Sequence, residues 1–247
     1  MAHAYIRAML RTLVKRRASR GLWSALRDVA DEWRIQKMHQ ASARKARALS
    51  RGEPLRLNLA SGHHPKPGWI NIDLFAPTAD LRLDLREPLP FPENSVGYIY
   101  AEHFFEHLNY AEVSDSSGWE GEGPGRPSEA MAFLRECRRV LAPGGVLDIV
   151  VPDAEGILQE YVDRHVSGFP KYEWWGPKWC DTPMHCVNYV FRQGREHKYA
   201  YDEQTLKQVM ESAGFASVAR RPFEAGRDLP NHEIGSLCMV ATKSAGG

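Results

Sequence analysis

No run in this chain approaches the ~18 uncharged apolar residues of a membrane span, so a helical integral membrane protein is excluded. The start also lacks an apolar signal core with a small-residue cleavage site, and secretion is not expected. Only four cysteines occur in 247 residues: Cys137, Cys180, Cys186 and Cys238. They are too scattered for a disulfide framework and read as reduced thiols of a cytoplasmic protein. The fingerprints G-x-G-x-x-G and G-x-x-x-x-G-K-[ST] are both missing, which argues against a dinucleotide or a nucleoside triphosphate. No internal repeat is present.

What remains is ordinary globular composition. With 43% hydrophobic and 26% charged residues, the chain has apolar surface enough for a core and too little charge for global disorder. The net charge of +1 conceals an asymmetry. Residues 1–54 hold 13 Lys/Arg against 4 Asp/Glu, and residues 55–247 hold 19 against 27. The chain therefore divides into a basic arm, 1–54, and an acidic domain, 55–247.

In the arm, Ile6, Leu10, Leu13 and Val14 recur at helical spacing, as do Leu22, Leu26, Val29, Ala30 and Trp33. Two amphipathic helices broken at Gly21 are expected. Such helices pack on the following domain or on a twin copy, or lie on an anionic membrane surface such as the inner face of the cell membrane. An organelle presequence also fits, since no acid precedes Asp28. Nucleic acid is not expected, because the domain behind the arm is acidic.

From residue 55 strand and helix patterns alternate. Strands are expected at 55–59, 69–73, 81–84, 96–100, 146–151, 215–218 and 234–242, with helices at 128–141 and 202–213. This alternation implies an α/β fold, a mostly parallel seven-stranded sheet with ligands at the carboxyl ends of its strands. Two segments break the rhythm. Residues 113–127 are rich in Gly, Ser and Glu and read as a mobile loop. Residues 161–201 hold 10 of the 25 aromatics, among them Trp174, Trp175 and Trp179, and read as an aromatic insertion or lid.

Strand tips carry the chemistry. The first strand ends in Ala60-Ser61-Gly62, where a glycine allows close approach of a ligand to the backbone. Asp73 ends the second strand, where a carboxylate can accept both hydroxyls of a ribose, and Asp84 ends the third, beside the expected adenine. A nucleoside ligand without pyrophosphate suits this pattern. Either acid alone also suits a simple loop cap.

The chain resembles class I S-adenosylmethionine-dependent methyltransferases of the small-molecule type, with a Rossmann-like domain. The resemblance lies in Leu57-Asn-Leu-Ala-Ser-Gly62, Trp69-Ile-Asn-Ile-Asp73, Asp84-Leu-Arg-Glu-Pro-Leu-Pro-Phe91 and Glu102-His-Phe-Phe-Glu-His-Leu108. It continues in Phe133-Leu-Arg-Glu-Cys-Arg-Arg-Val-Leu-Ala-Pro-Gly-Gly145 and Val150-Val-Pro-Asp153. It implies S-adenosyl-L-methionine as cofactor. The implied contacts are Asn58, Ala60, Ser61 and Gly62 at the methionine end, and Asp73 with Leu74 at the ribose. Asp84 and Leu85 are implied at the adenine, and Glu102 and His103 beside the transferred methyl. Unlike most of the family, Gly62-His-His-Pro-Lys-Pro-Gly68 leaves no room for a helix between strands one and two. His63 or His64 then stands in for the contacts that such a helix makes.

The cofactor brings an activated methyl group, so the protein supplies position, and a base where the acceptor is a hydroxyl. The signature [DNS]-P-P-[YFW] of nucleobase N-methylation is replaced by Ala101-Glu102-His103-Phe104, which favours an oxygen acceptor. His107, Asp153 and His185 are the candidate catalytic residues. His103 and His107, four apart, share a face if helical, with Glu106 adjacent. Three readings stay open for this cluster: hydrogen bonds that fasten the segment, a catalytic base, or a metal site of the kind that the resemblance implies for some members. In the last case His103, Glu106 and His107 are completed by His185. Asp153 is equally a helix cap, and Cys180 and Cys186 lack metal-knuckle spacing. The expected acceptor is a hydroxyl on a sugar or glycoconjugate, with a phenolic or polyketide-like product as alternative. A non-catalytic cofactor-binding scaffold acting through the arm is the reading from another class.

Overall fold

The computed structural model describes residues 19–49, 54–110, 128–163 and 177–245. Along these run α1 (Arg20–Leu49), β1 (Leu55–Leu59), β2 (Ile70–Ile72), β3 (Val96–Glu102), a single 3-10 turn (Phe105–His107) and α2 (Glu129–Val140). Then come β4 (Leu141–Pro152), α3 (Ala154–Val162), α4 (Pro183–Arg192), α5 (Glu203–Ser212), β5 (Ala216–Arg220) and β6 (Ser236–Thr242). The expected helix over 6–14 and the loop 113–127 lie outside the described residues, as do Trp174 and Trp175.

Period-two alternation decides how the sheet is covered. Leu57, Leu59, Ile99, Ala101, Leu147, Ile149, Val151, Leu237, Met239 and Ala241 are all excluded from solvent. They share one core with Ala46 of α1, Phe133, Leu134 and Cys137 of α2, and Leu206, Val209 and Met210 of α5. Truncating one such side chain to Ala costs ~2–5 kcal/mol. The alternate residues build the other face differently. Tyr100, Val150 and Cys238 pack there with Trp69 and Tyr98, and Asp148 is paired to Arg221 and Arg227.

The strand order is β2-β1-β3-β4-β6-β5. β2, β1, β3 and β4 run parallel, and β6 runs antiparallel to β4 and β5. The chain leaves β1 toward β2 on one side and returns to β3 on the other. The crevice at such a reversal, at the carboxyl ends of β1 and β3, is where open α/β sheets bind ligands. Gly145, where β4 enters the ladder, is required: a Cβ there would meet the Ala142 carbonyl oxygen at 2.8 Å.

One expectation is corrected. The sheet has six strands among the described residues, because 81–84 contributes only a bridge between Leu81 and Ile72. Its outward amides are taken by α1 instead: Arg82 donates to Ser42 Oγ and Asp84 to His39 Nδ1. The second helix of the arm starts at Arg20, beside the expected break at Gly21, and the residues before Ser19 lie outside the described ones. Ser19 Oγ accepts the Leu22 amide hydrogen at 3.2 Å, so Gly21 falls in the first turn of α1, where helix geometry is least demanding. Further along, Lys45 Nζ donates to the Asp80 carbonyl and Ala46 is wholly buried, so α1 packs on the acidic domain. Among the described residues no helix is long and apolar enough to cross a membrane.

Candidate active site

The connection from β1 to β2 holds without a helix because two asparagines staple it. Asn58 Nδ2 donates to Asn71 Oδ1 at 2.9 Å and to the His64 carbonyl. Asn71 in turn bonds the Lys66 backbone on both sides and the Trp69 carbonyl. Asn58, expected at the cofactor, is therefore buried in this staple, while His63 and His64 are exposed.

Ala60 and Gly62 both adopt left-handed backbone, each with φ of 51°. A Cβ on Gly62 would meet nothing within 4 Å, so the turn opens onto free space, and the left-handed φ favours glycine. Between them Ser61 is buried, and its Oγ has no partner among the described residues. Asp73 faces this turn. Its Oδ2 accepts the Gly62 amide hydrogen at 3.0 Å, and its Oδ1 accepts those of Phe75 and Ala76. An unpartnered buried hydroxyl, an open turn and a convergent carboxylate fit the amino-acid end and ribose of S-adenosylmethionine, with Leu74 half-buried beside them.

The neighbouring tip is tied in by the Asp73 amide, which donates to the Leu81 carbonyl at 3.2 Å. Asp84 is buried, and Arg86 holds it through both carboxylate oxygens while also pairing with Glu32 of α1. Burial raises the Asp84 carboxyl, but the Arg86 bonds and charge prevail and hold it below its usual value. Its carboxylate is thus committed to Arg86, and the Leu85 side chain lies in the core. What these two tips leave for an adenine is mainly backbone.

Past β3 the chain turns sharply. His103 has φ of 49°, and the expected helical face is instead one 3-10 turn, with the His107 amide donating to the Phe104 carbonyl. His103 still reaches Glu106, Nδ1 to Oε1 being 3.5 Å, and its Nε2 meets Ser236 Oγ at 2.9 Å. Its ring stacks on His232 at 3.8 Å, and His232 Nδ1 lies 3.0 Å from Glu102 Oε1. Glu102 also accepts the Leu229 amide hydrogen, which brings the β5–β6 connection over this tip.

His103, Glu106 and His107 line a cavity of ≈ 200 Å³ with Tyr189, Gln193, His197, His232 and Ser236. Burial pushes the Glu106 carboxyl up to about 8. Burial likewise lowers His103, His107 and His197, with neighbouring imidazoles adding to it at His103 and His107, which favours the neutral form of each. A neutral imidazole is what can accept a proton.

Of the expected catalytic residues, only His107 reaches this cavity. Asp153 caps α3, its Oδ1 accepting the Gly156 amide hydrogen at 3.1 Å and its Oδ2 pairing with Arg220. His185 is exposed on α4 and pairs with Asp181 at 2.7 Å, so it is not the partner of Glu106. That place belongs to His197, whose Nε2 lies 3.9 Å from Glu106 Oε1. From residues 161–201, Tyr189, Gln193 and His197 line this cavity, while Trp179 is exposed. His197 and His232 carry no spacing signal in the sequence; only the fold brings them in.

A family model described as "Methyltransferase domain" matches residues 57–149. No curated protein matches. Similar solved structures include a SAM-dependent methyltransferase from Archaeoglobus fulgidus, at TM-score 0.44 and 15% identity, covering 82% of this chain and 92% of that one. Another is the complex between the Haloferax volcanii Trm112 methyltransferase activator and a methyltransferase, at TM-score 0.42 and 15% identity, covering 87% and 96%. A third is a SAM-dependent methyltransferase from Thermotoga maritima, at TM-score 0.42 and 12% identity, covering 89% and 96%.

Proposed function

The chain is a class I S-adenosylmethionine-dependent methyltransferase, and from that premise we propose that it methylates a hydroxyl oxygen of a sugar or glycoconjugate. The cofactor supplies a methyl group already activated on a sulfonium. The residues that would hold it are Ala60, Ser61 and Gly62 with Asp73 and Leu74, and the backbone of Asp84 and Leu85. The chain's own task is then to orient an acceptor and remove its proton.

The observation that carries the oxygen assignment is the placement of the His107 imidazole on the cavity wall beside Glu106, where burial lowers its pKa. An alcohol is a poor nucleophile until its proton has somewhere to go, and such assistance contributes ~10²–10⁴ in rate. The cavity's ≈ 200 Å³ falls below the ~300 Å³ at which drug-sized ligand sites begin. One ring fits it better than a fused polyketide. Its wall offers Tyr189 as a flat face and Gln193, Ser236 and His232 as hydrogen-bonding groups, a mixture that suits a sugar.

The test is transfer of labelled methyl from S-adenosylmethionine to a panel of monosaccharides, glycolipids and phenols, with the product position read by NMR. A sugar methyl ether is expected, with formation reduced ~10²–10⁴-fold in His107→Ala. Labelling confined to phenols, or to amines, overturns the assignment.

A further inference from the structure

Glu106 poses a problem that the proposed reading leaves unsolved. It is 1% exposed, and neither carboxylate oxygen has a hydrogen-bond partner among the described residues. Buried polar groups almost always find partners, and an exception calls for a water or an ion. Around Oε1 stand His103 Nδ1 at 3.5 Å, His197 Nε2 at 3.9 Å and His107 Nε2 at 4.0 Å, and none makes a hydrogen bond to it. The ligating atoms of Glu106, His107 and His197 all lie within 4.8 Å of one another.

We infer that Glu106, His107 and His197 form a binding site for a divalent first-row transition metal, zinc being the simplest occupant. Ligands ~2.0–2.2 Å from a tetrahedral ion stand ~3.4 Å apart, so side-chain movements of about an ångström close the set. The ring of His197 is already oriented for it. Its Nδ1 lies 2.5 Å from the Val190 carbonyl oxygen, which fixes the proton there and leaves Nε2 as the free donor atom. The backbone holds the pair in register, since the amides of Lys198 and Tyr199 both donate to the Glu106 carbonyl. Two imidazoles and one carboxylate select zinc, iron, cobalt or nickel over magnesium, which prefers an all-oxygen shell. Three protein ligands at the wall of a cavity also leave a position open toward it, the pattern of a working rather than a purely structural ion.

This deepens the proposed function and rests on it: as a ligand His107 would not itself take the acceptor's proton, and the ion would hold the acceptor oxygen and lower the hydroxyl's pKa, so that the proton passes to solvent. Metal binding needs neither acceptor nor cofactor, so it is measured independently of that reading. The full untagged chain is stripped with chelator and titrated calorimetrically with zinc chloride, and with cobalt(II) followed by its visible absorption. One saturable equivalent is expected, with a cobalt band of tetrahedral intensity and a zinc-dependent rise in melting temperature. His197→Gln, His107→Gln and Glu106→Gln should each weaken binding at least ~100-fold, a loss that even an outer partner of a ligand can cause. His185→Gln should bind as the parent does. Absence of a saturable equivalent in the parent chain, whose fold is not in question, overturns the site. So does retention of affinity in His197→Gln together with its loss in His185→Gln. If zinc binds and no sugar is methylated, the acceptor is wrong and the site stands.

Discussion

Asp73 accepts the Gly62 amide hydrogen at 3.0 Å, which clamps the tip of β2 onto the turn that follows β1. That contact replaces what a helix between the two strands would otherwise organise. It leaves Oδ2 with a second lone pair, the acceptor that a ribose hydroxyl would use.

Removing that carboxylate is the direct test of the ribose position. Asp73→Ala should weaken calorimetric binding of S-adenosylhomocysteine by ~1.5–3 kcal/mol, the scale of hydrogen bonds to a charged group. Asn at this position, which keeps an acceptor for Gly62, should recover part of it. Unchanged affinity in the Ala variant removes Asp73 from the pocket.

Much of the scaffold was legible because local chemistry settles it. The short apolar runs at 55–59 and 96–100 announce strands, and Asp202 announces α5 by accepting the Thr205 amide hydrogen at 2.7 Å. Less was legible where tertiary contacts decide. Residues 81–84 read as a strand, yet Ser42 and His39 of α1 take their amides. His185 and His197 are alike as letters. The backbone bonds from Lys198 and Tyr199 to Glu106 bring in the second, and Asp181 holds the first outside.

On the opposite face of the sheet, Arg221 holds Asp148 and Asp228 together, all three nearly excluded from solvent. Burial raises the Asp228 carboxyl, but bonds from Arg221, the Glu224 amide and Tyr100 outweigh it and depress the folded value. Asp148, deeper in the sheet, is raised, burial being the stronger influence there. The depressed group contributes stability above the unfolded value of ~3.9 and loses it as pH falls through the folded one. The raised group does the reverse. Asp228→Asn should therefore cost ~3–5 kcal/mol at pH 7, as for one partner lost from a buried pair. It should also flatten the acid side of the stability profile below about pH 4. Urea unfolding from pH 3 to 7 checks both, and parallel profiles for parent and variant refute the assignment.

The α1 helix offers a test of the basic arm. Leu22, Leu26, Val29 and Trp33 stand exposed along it, and Lys37 lies over the Trp33 ring at 3.3 Å. The stripe has Lys37 on one edge and Glu32 on the other, and its apolar side chains are what an anionic lipid surface would take up. Co-sedimentation with phosphatidylserine vesicles is expected, weakened at least ~10-fold in Leu26→Asp/Trp33→Asp and absent with phosphatidylcholine alone. Equal binding to both vesicle types, or none to either, refutes the membrane role.

Asp153 separates a cap from an acceptor contact. Its two oxygens are occupied by the Gly156 amide and the Arg220 guanidinium, at 3.1 and 3.3 Å. As the N-cap of α3 it should cost ~1 kcal/mol of unfolding free energy when replaced by Ala and much less when replaced by Asn, since Asn caps about as well. An acceptor contact predicts another order, because a neutral amide cannot replace a carboxylate in receiving a hydroxyl's proton. Stability should fall in Asp153→Ala and return in Asp153→Asn, with S-adenosylhomocysteine affinity and methyl transfer unmoved in both. Loss of transfer in the Asn variant, at parental stability, would give Asp153 back to the reaction.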